Sequence, residues 1–315
     1  MPMVIYEYPT AQKLNISKCV LALGFFDGVH IAHRDLLSSA REIAQSEGLL
    51  FGVFTFQDRG RIKNGSPRLY GDEEKADMFS DLGADFAVFA DFSAISGYSP
   101  EDFVNTILIS DLNCGVCVAG FNFRFGKGAK GNTEMLTRLM EDNLGRAVIR
   151  EEIKSESGQT LSATLIRDLI SDGRIKEANK ILSTPYYIKG RVLHGRKVGR
   201  TIGFPTLNME IEEGRIIPRL GVYATAVVID NKIYKGVSNI GVCPTFEERK
   251  VHLETHIINF FGDLYGKEMK IYLIDFIRDE MTFESADRLM EQINIDKNRV
   301  IKEIGEITWQ ELGLK

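Results

Sequence analysis

The chain has 315 residues, of which 44% are hydrophobic and 26% are charged, a balance typical of folded, water-soluble proteins and unlike disordered or fibrous ones. The net charge of -5 excludes a general attraction to nucleic acid or to an anionic membrane, so local positive groups must bind any phosphate. No stretch reaches the roughly 20 apolar residues that span a bilayer, and the N-terminus has no secretory pattern. We therefore expect a cytoplasmic protein, with two domains because of its length.

The first half of the chain alternates short apolar runs with amphipathic stretches. This rhythm predicts β-α-β units and a parallel sheet, which is an α/β arrangement. Such sheets bind ligands at the carboxyl ends of their strands, so the residues after each apolar run are candidate site residues. The apolar runs are CVLALGFF (19–26), LLFGVFTF (49–56), DFAVFADF (85–92) and CGVCVAGF (114–121), and the amphipathic stretches are 31–48 and 73–84.

Two of the four cysteines, Cys114 and Cys117, form a C-x-x-C pair. A zinc site usually has a second pair of ligands at recognisable spacing, and the sequence has none. The pair lies in an apolar run, which favours a short buried strand. Metal or redox use of the two thiols is the less favoured alternative.

The segment from Gly24 to His33 closes the first apolar run, turns at Asp27 and Gly28, and enters a helix. The N-terminus of a helix favours anions. His30 and His33 are three residues apart, so both can contact the same phosphate from the first helical turn. The alternative is that one histidine caps the helix and the other is solvated.

Two later segments have polar residues suited to phosphate. The stretch 120–128 offers flexible backbone and two cations, although it is not a P-loop, because five residues separate its first glycines and no serine or threonine follows the lysine. On its own it is equally consistent with a glycine-rich turn. Further on, Ser162 can cap a helix on which Thr164 and Arg167 share one face.

Together these segments resemble the nucleotidylyltransferase superfamily, and the wording G-F-F-D-G-V-H resembles the FMN adenylyltransferase half of bacterial FAD synthetases. The resemblance implies a Rossmann-like domain in which the phosphate of FMN attacks the α-phosphorus of ATP directly. It also implies that His30 and His33 stabilise the ATP phosphates. The other nucleotide-binding residues that it implies are Gly24, Phe26, Asp27 and Asn122. It further implies that Ser162, Thr164 and the catalytic Arg167 close over the leaving pyrophosphate.

The sequence departs from that family at three places. Ala32 stands where the family has glycine between the histidines, and Ala163 replaces a serine. Gln57, Asp58 and Arg59 occupy the place of a Pro-His-Pro element. A chain whose first half has lost or narrowed adenylyl transfer therefore stays an alternative.

From about Tyr186 the pattern changes to short strand-like runs separated by Gly, Asn, Asp and Pro. This pattern predicts a small, mainly antiparallel β-barrel. Helical spacing flanks it at 162–182 and 283–312. We place the domains at 1–183 and 184–315.

The segment 190–208 combines spaced glycines, cations and a Pro-Thr-x-Asn sequence. Glycines let backbone amides reach phosphates, and the cations supply charge. Thr206 and Asn208 project from one face of an extended segment, and their oxygens suit Mg2+. For an isolated Pro-Thr-x-Asn, a simple turn is the alternative. The candidate phosphate-binding residues here are Gly195, Lys197, Gly199 and Arg200.

The segment from Gly190 to Asp296 resembles riboflavin kinase. The resemblance implies that Glu254 is the general base for the ribityl 5′-hydroxyl, that Thr206 and Asn208 hold Mg2+, and that Arg278 and Tyr265 contact the flavin. The motifs that carry the resemblance, besides Pro-Thr-x-Asn, are 221–223, 236–241, 244–246, 253–257 and 263–266.

We therefore expect an enzyme that phosphorylates riboflavin to FMN and adenylylates FMN to FAD, with ATP as co-substrate and Mg2+ as cofactor. Its expected partners are ATP and flavins, with neither nucleic acid nor membrane, and self-association is left open. Two alternatives stand beside this prediction. In one, only one of the two activities is retained, and in the other the protein is a flavin-binding sensor without catalysis.

Overall fold

A computed structural model describes residues 2–10, 14–58, 66–155, 158–194, 203–244 and 249–314. The chain folds into two compact units, Met1–Ala163 and Thr164–Lys315. The expected domain boundary lies further along, after residue 183. The difference arises from the segment 164–182, which bonds to the barrel: Ile170 O accepts from Arg219 N at 3.2 Å, and the Asn179 side chain donates to Leu273 O at 2.9 Å.

The first unit is built on a six-stranded sheet in which every pairing is parallel. The strand order is β1-β4-β3-β2-β5-β6. The predicted parallel α/β arrangement is thus confirmed. The strands are β1 Val4–Tyr8, β2 Cys19–Leu23, β3 Leu50–Phe56, β4 Phe86–Ala90, β5 Cys114–Gly120 and β6 Arg146–Arg150.

Helices and apolar side chains cover both faces of this sheet. Along β2, Leu21 and Leu23 belong to one hydrophobic cluster, whereas Val20 and Ala22 belong to another. Because alternate residues of a strand point to opposite faces, both faces of β2 are buried. The helical segments of the unit are α1 Ile31–Glu47, α2 Asp72–Asp81, α3 Phe92–Ile95, α4 Pro100–Asp102, a π-helix Phe103–Asp111, a 3-10 turn Lys127–Ala129 and α5 Thr133–Asp142.

The C-x-x-C pair lies in β5, as the apolar pattern predicts. Cys114 and Cys117 are buried free thiols. Burial raises the pKa of the Cys117 thiol to about 12, which keeps it protonated and unreactive. Within the described ranges, no group of three or more His, Cys, Asp or Glu side chains is arranged to hold a metal ion.

The second unit is an antiparallel six-stranded sheet, curled into a nearly closed barrel with the strand order β7-β12-β9-β10-β11-β8. A bridge between Leu193 and Asn208 links the chain after β7 to β8 across the remaining gap. The predicted barrel is thus confirmed. Its strands are β7 Tyr187–Arg191, β8 Leu207–Glu210, β9 Gly221–Ile229, β10 Lys232–Pro244, β11 Arg249–Ile257 and β12 Glu268–Arg278, and its helices are α6 Ala163–Ser171, α7 Ile175–Leu182 and α8 Ala286–Glu303.

The two faces of the barrel strands have different chemistry. Along β11, Leu253 and Thr255 are buried in the interior, whereas Glu254 lies on the opposite face and is exposed. On that outer face α8 covers an apolar cluster that includes Val222 and Val300. None of the helices in the part of the chain that the structure describes has the length and apolar character needed to cross a lipid bilayer.

Candidate functional site

In the first unit, the loop after β2 has an unusual backbone. Phe26 and Val29 have φ angles of 50° and 40°, and Gly28 has a φ angle of 85°. Positive φ is rare for non-glycine residues and especially for a β-branched one. Such conformations cluster at functional sites, where the surrounding packing enforces them. Here Phe26 and Val29 are fully buried, so the core holds the turn in place.

This turn brings the two predicted histidines together at the start of α1. His30 is the N-cap residue, and its ring stacks on that of His33 with the centroids 3.7 Å apart. Burial lowers the pKa of His30 to about 4. Burial, together with the nearby His30, places the pKa of His33 well below its usual value. Both rings are therefore neutral at pH 7.

Neither histidine Nδ1 atom has a hydrogen-bond partner among the described residues, although both atoms are buried. Buried polar atoms are normally paired, so an orphaned pair calls for an explanation. The pair lies at a helix N-terminus, where backbone amides already favour negative charge. His30 and His33 can therefore donate hydrogen bonds to an anionic ligand.

The other predicted residues of this loop have supporting positions. The ring of Phe26 packs edge-on against His33 and Phe79, with centroid distances of 5.3 and 5.7 Å. Asp27 is 6% exposed and accepts a hydrogen bond from Leu69 N at 3.0 Å. A Cβ atom on Gly24 would lie 3.0 Å from the Phe26 ring. These side chains hold the shape of the loop.

The remaining predicted residues of the N-terminal half are divided between the units. Asn122 is exposed just after β5, which pairs with β2. The strand order reverses between β2 and β5, and ligands of α/β sheets bind at such points. Ser162 falls in the first unit, whereas Thr164 and Arg167 fall in the second, on α6. Arg167 Nη2 lies 3.4 Å from Thr164 Oγ1.

An aromatic cluster at the same edge of the sheet is absent from the sequence prediction. The rings of Phe25 and Phe56 are 4.5 Å apart, and those of Phe56 and Phe92 are 5.5 Å apart. Phe92 is 47% exposed, so the cluster has an open face. The signal was present in the sequence, because Phe56 and Phe92 end apolar runs and Phe25 is next to the last residue of another.

The segment that replaces Pro-His-Pro carries an ionic network. Asp58 pairs with Arg68 at 3.1 Å, and both side chains are 6% exposed. Lys75 pairs with Asp72 at 2.8 Å and donates to Phe56 O at 3.1 Å. The network fixes the chain beside the aromatic cluster. Arg59 lies outside the described residues.

In the second unit, three polar side chains form one row across β8, β11 and β10. Two of them, Asn208 and Glu254, are predicted site residues, and the third is Asn239. Glu254 is directly opposite Asn208 on one side and Asn239 on the other. Directly opposed residues of antiparallel strands have Cβ atoms about 5 Å apart. Within the described residues the Glu254 carboxylate makes no hydrogen bond or ion pair. The row is thus a free carboxylate between two amides.

Thr206 lies just before β8, and His256 fixes the segment that carries it. His256 Nδ1 is 3.0 Å from Pro205 O, and its ring packs edge-on against Phe204 at 5.3 Å. Burial lowers the pKa of His256, which favours its neutral form. The structure therefore brings Thr206, Asn208 and Glu254 to one region of the barrel.

Two cavities adjoin this region. The larger, of about 450 Å3, is lined by Thr206, Thr255 and the loop 260–265. The smaller, of about 260 Å3, lies between the outer face of the barrel and α8. Pro205 and Thr255 line the first cavity, while their chain neighbours Phe204 and His256 line the second. We call the row of Asn208, Glu254 and Asn239 the Glu254 row; its member Asn239 lines the second cavity, and Thr206, close to Asn208 in the chain, lines the first.

The two residues predicted to contact a flavin lie in different cavities. Arg278 lines the smaller one and pairs with the buried Asp296 at 2.7 Å. Tyr265 lines the larger one and stacks on His194 at 4.0 Å. The predicted residues Gly195, Lys197, Gly199 and Arg200 lie outside the described residues.

Comparisons with known proteins cover both units. A riboflavin kinase family model matches residues 182–304, and an FAD synthetase family model matches residues 12–165. The chain is 35% identical to the bifunctional riboflavin kinase/FMN adenylyltransferase of Bacillus subtilis, over 92% of this chain and 94% of that one. It is 32% identical to the protein of the same name from Escherichia coli K12, over 89% and 90% of the two chains.

A solved structure has the same fold over nearly the full length. It is a crystal structure of a protein named macrolide-efflux protein, from Streptococcus pneumoniae, with a TM-score of 0.86 and 30% sequence identity. The match covers 95% of this chain and 99% of that one.

Proposed function

The chain belongs to the bifunctional riboflavin kinase/FMN adenylyltransferase family, and from this premise we propose that it phosphorylates riboflavin to FMN and adenylylates FMN to FAD, with ATP as donor in both reactions. Both family resemblances predicted from the sequence are confirmed by the comparisons. The single observation that supports the kinase assignment is the Glu254 row, in which a carboxylate without an ion pair among the described residues lies between Asn208 and Asn239, and Asn239 lines the smaller cavity.

In the kinase reaction we assign Glu254 as general base. It takes the proton of the ribityl 5′-hydroxyl as that oxygen forms a bond to the γ-phosphorus of ATP, and the bond to the leaving ADP oxygen breaks. A carboxylate without an ion pair can accept this proton. Thr206 and Asn208 supply neutral oxygens of the kind that Mg2+ accepts, and we propose that they hold it. Bound Mg2+ would neutralise phosphate charge.

The chemistry of the cavities supports a division of the substrates. The smaller cavity has apolar walls and the Arg278–Asp296 ion pair at one side, which suits a flavin ring. The larger cavity contains Thr206, which suits the phosphate end of ATP. Tyr265 lines the larger cavity, which favours a nucleotide contact for this residue. Gly195, Lys197, Gly199 and Arg200 remain proposed phosphate-binding residues on the strength of the family resemblance.

In the adenylyl transfer reaction we assign alignment and charge stabilisation to the protein. A phosphate oxygen of FMN bonds to the α-phosphorus of ATP, and pyrophosphate leaves. His30 and His33 are neutral donors at a helix N-terminus, and Asn122 follows the neighbouring strand. We propose that Ser162, Thr164 and Arg167 bind the pyrophosphate. The open aromatic cluster of Phe25, Phe56 and Phe92 suits a flavin ring by stacking.

Two variants test the assignment of the two activities. We expect Glu254→Ala to reduce FMN formation from riboflavin by about 100-fold or more, because a general base is lost, and to leave FAD formation from supplied FMN unchanged. We expect His30→Ala to have the opposite effect. Glu268→Ala is the matched control, since this exposed carboxylate on β12 lines neither cavity.

Each alternative gives a different result in these assays. Unchanged FMN formation by Glu254→Ala would show that the base is another group. If the wild-type protein phosphorylates riboflavin yet forms neither FAD nor pyrophosphate when it is given FMN and Mg-ATP, that result would favour an adenylyltransferase half that has lost its activity. Tight flavin binding with neither product would favour a sensor.

A further inference from the structure

The smaller cavity of the second unit is lined by apolar side chains on one side and by polar side chains on the other. Its polar side includes Asn239 and Glu280, which lie next to the Glu254 row. A flavin ring is planar and largely apolar, whereas the chain attached to it carries several hydroxyl groups. One part of the cavity therefore suits the ring and another suits the hydroxyl chain. The apolar lining residues are Phe204, Val222, Val237, Met281, Phe283, Leu289 and Ile293.

Most polar groups of this cavity already have strong partners. Arg278 and Asp296 form an ion pair, and Gln292 donates to Asp296 at 2.9 Å. His256 Nδ1 is hydrogen-bonded to Pro205 O. These groups shape the cavity, and little of their hydrogen-bonding capacity is left for a ligand.

Asn239 and Glu280 differ from those groups. Among the described residues, their side chains make one hydrogen bond, which Asn239 Nδ2 donates to Glu280 Oε1 at 3.4 Å. This distance is near the limit for a hydrogen bond, so the bond is weak. A carboxylate has about four acceptor sites, and an amide both donates and accepts. The pair can therefore bind further hydroxyl groups.

The backbone makes room for this pair. A Cβ atom on Gly241 would overlap Glu280 Oε1 and lie 3.0 Å from Asn239 Nδ2. The carboxylate of Glu280 thus lies over the strand at the position that a side chain would otherwise fill. Asn239 is directly opposite Glu254, so a hydroxyl held by Asn239 is close to the base.

We propose that Asn239 and Glu280 bind hydroxyl groups of the ribityl chain and so determine which hydroxyl reaches Glu254. The ring occupies the apolar part of the cavity, the chain passes Asn239 and Glu280, and its terminal hydroxyl arrives at the carboxylate of Glu254. Both residues are positioning and specificity residues. This inference rests on the proposed kinase function.

The test compares two inhibitors of the kinase reaction. Lumiflavin has the ring without a hydroxyl chain, and 5′-deoxyriboflavin has the chain without the reacting hydroxyl. For Glu280→Gln and for Asn239→Leu we expect the Ki of 5′-deoxyriboflavin to rise about 10-fold, as expected for one lost hydrogen bond to a charged or amide group. The Ki of lumiflavin should change less than about 2-fold, because the apolar walls are intact.

The control is Asp279→Asn, which removes the same charge one residue away from Glu280, on an exposed side chain that does not line the cavity. It should leave both Ki values unchanged. Asn239→Ser provides a second, smaller variant at the half-buried position. FAD formation from supplied FMN and the unfolding midpoint verify that each variant is folded.

Two results would overturn the inference. Equal increases of both Ki values would show that the pair acts on the ring or on the barrel, and unchanged Ki values would show that it does not contact the chain. In either case the wild-type protein still makes FMN. Failure of the proposed function is distinct, because the wild-type protein would then make no FMN at all.

Discussion

The two histidines of α1 show how burial changes what a residue can do. At the surface a histidine pair would titrate near pH 6.5 and repel when charged. Here burial lowers the pKa of His30 to about 4, so the stacked rings are neutral donors at neutral pH. Although His30 occupies the N-cap position, its side chain makes no capping bond, and both Nδ1 atoms are buried without a hydrogen-bond partner among the described residues. This favours a binding role over the alternative of a cap and a solvated neighbour.

This burial predicts a dependence of stability on pH. In the unfolded chain His30 takes up a proton near pH 6.5, whereas in the folded chain it does so near 4. Between these values the unfolded state binds more protons, so stability falls as the pH is lowered from 6.5 to 4 and is level below that. For His30 the expected loss is about 3 kcal/mol. Hydrogen exchange of the α1 amides, corrected for intrinsic rates, measures it.

The variant His30→Gln/His33→Gln isolates the effect of the two rings. It removes both titrating groups, so protection of α1 should lose most of its dependence on pH in this range. Amides of α8, in the other unit, serve as an internal reference. An equal dependence in the wild-type and double-variant proteins would show that other groups cause the loss.

At the scale of elements, a ladder of hydroxyl groups ties three barrel strands together. Ser238 on β10 lies between Thr225 on β9 and Thr255 on β11, with oxygen distances of 2.9 and 2.8 Å. All three residues are buried, so each hydroxyl depends on its neighbours for hydrogen bonds. Thr255 also lines the larger cavity, which links the ladder to the site.

We expect Ser238→Ala to destabilise the second unit by about 2 to 3 kcal/mol, because two hydrogen bonds are lost and both threonine hydroxyls lose a partner. Fluorescence of Trp309, the one tryptophan of the sequence, follows unfolding of this unit in urea. Thr225→Val removes the hydroxyl at one end of the ladder and should lower the free energy of unfolding by less than Ser238→Ala does, because one hydrogen bond is lost instead of two. A smaller effect for Ser238→Ala than for Thr225→Val would contradict this view of the ladder.

The helices and strands could be predicted from the periodicity of apolar residues, but the pairing of the strands could not. The apolar runs and helical spacing indicated β2, α1, β5 and the helices at 163–182. The Glu254 row depends on which strands are neighbours and in what register, and Asn239 is 15 residues from Glu254 in the sequence. Asn239 was therefore missed as a site residue, although its motif was noted.

The aromatic cluster was missed for a related reason. Phe25, Phe56 and Phe92 are separated by more than 30 residues each, and only the parallel pairing of β2, β3 and β4 brings the ends of these strands together. The grouping of α6 with the second unit was also not predicted. It depends on hydrogen bonds such as that from Arg219 N to Ile170 O, which no local pattern indicates.

At the scale of the whole molecule, the chain joins two units whose proposed reactions follow one another. The product of the kinase reaction is the substrate of the adenylyl transfer reaction. The candidate base Glu254 lies in the second unit, and the histidine pair lies in the first. A variant in one unit should therefore remove one reaction and leave the other intact.

A mixing experiment tests this independence. It uses the variants Glu254→Ala and His30→Ala, with Mg-ATP and with riboflavin as the only flavin. Alone, the first variant should make FMN and FAD about 100-fold more slowly than the wild-type protein, and the second should accumulate FMN. Mixed in equal amounts, they should make FAD, because FMN released by one chain is used by the other. Loss of both activities in either folded variant, measured with riboflavin and with FMN, would contradict the account.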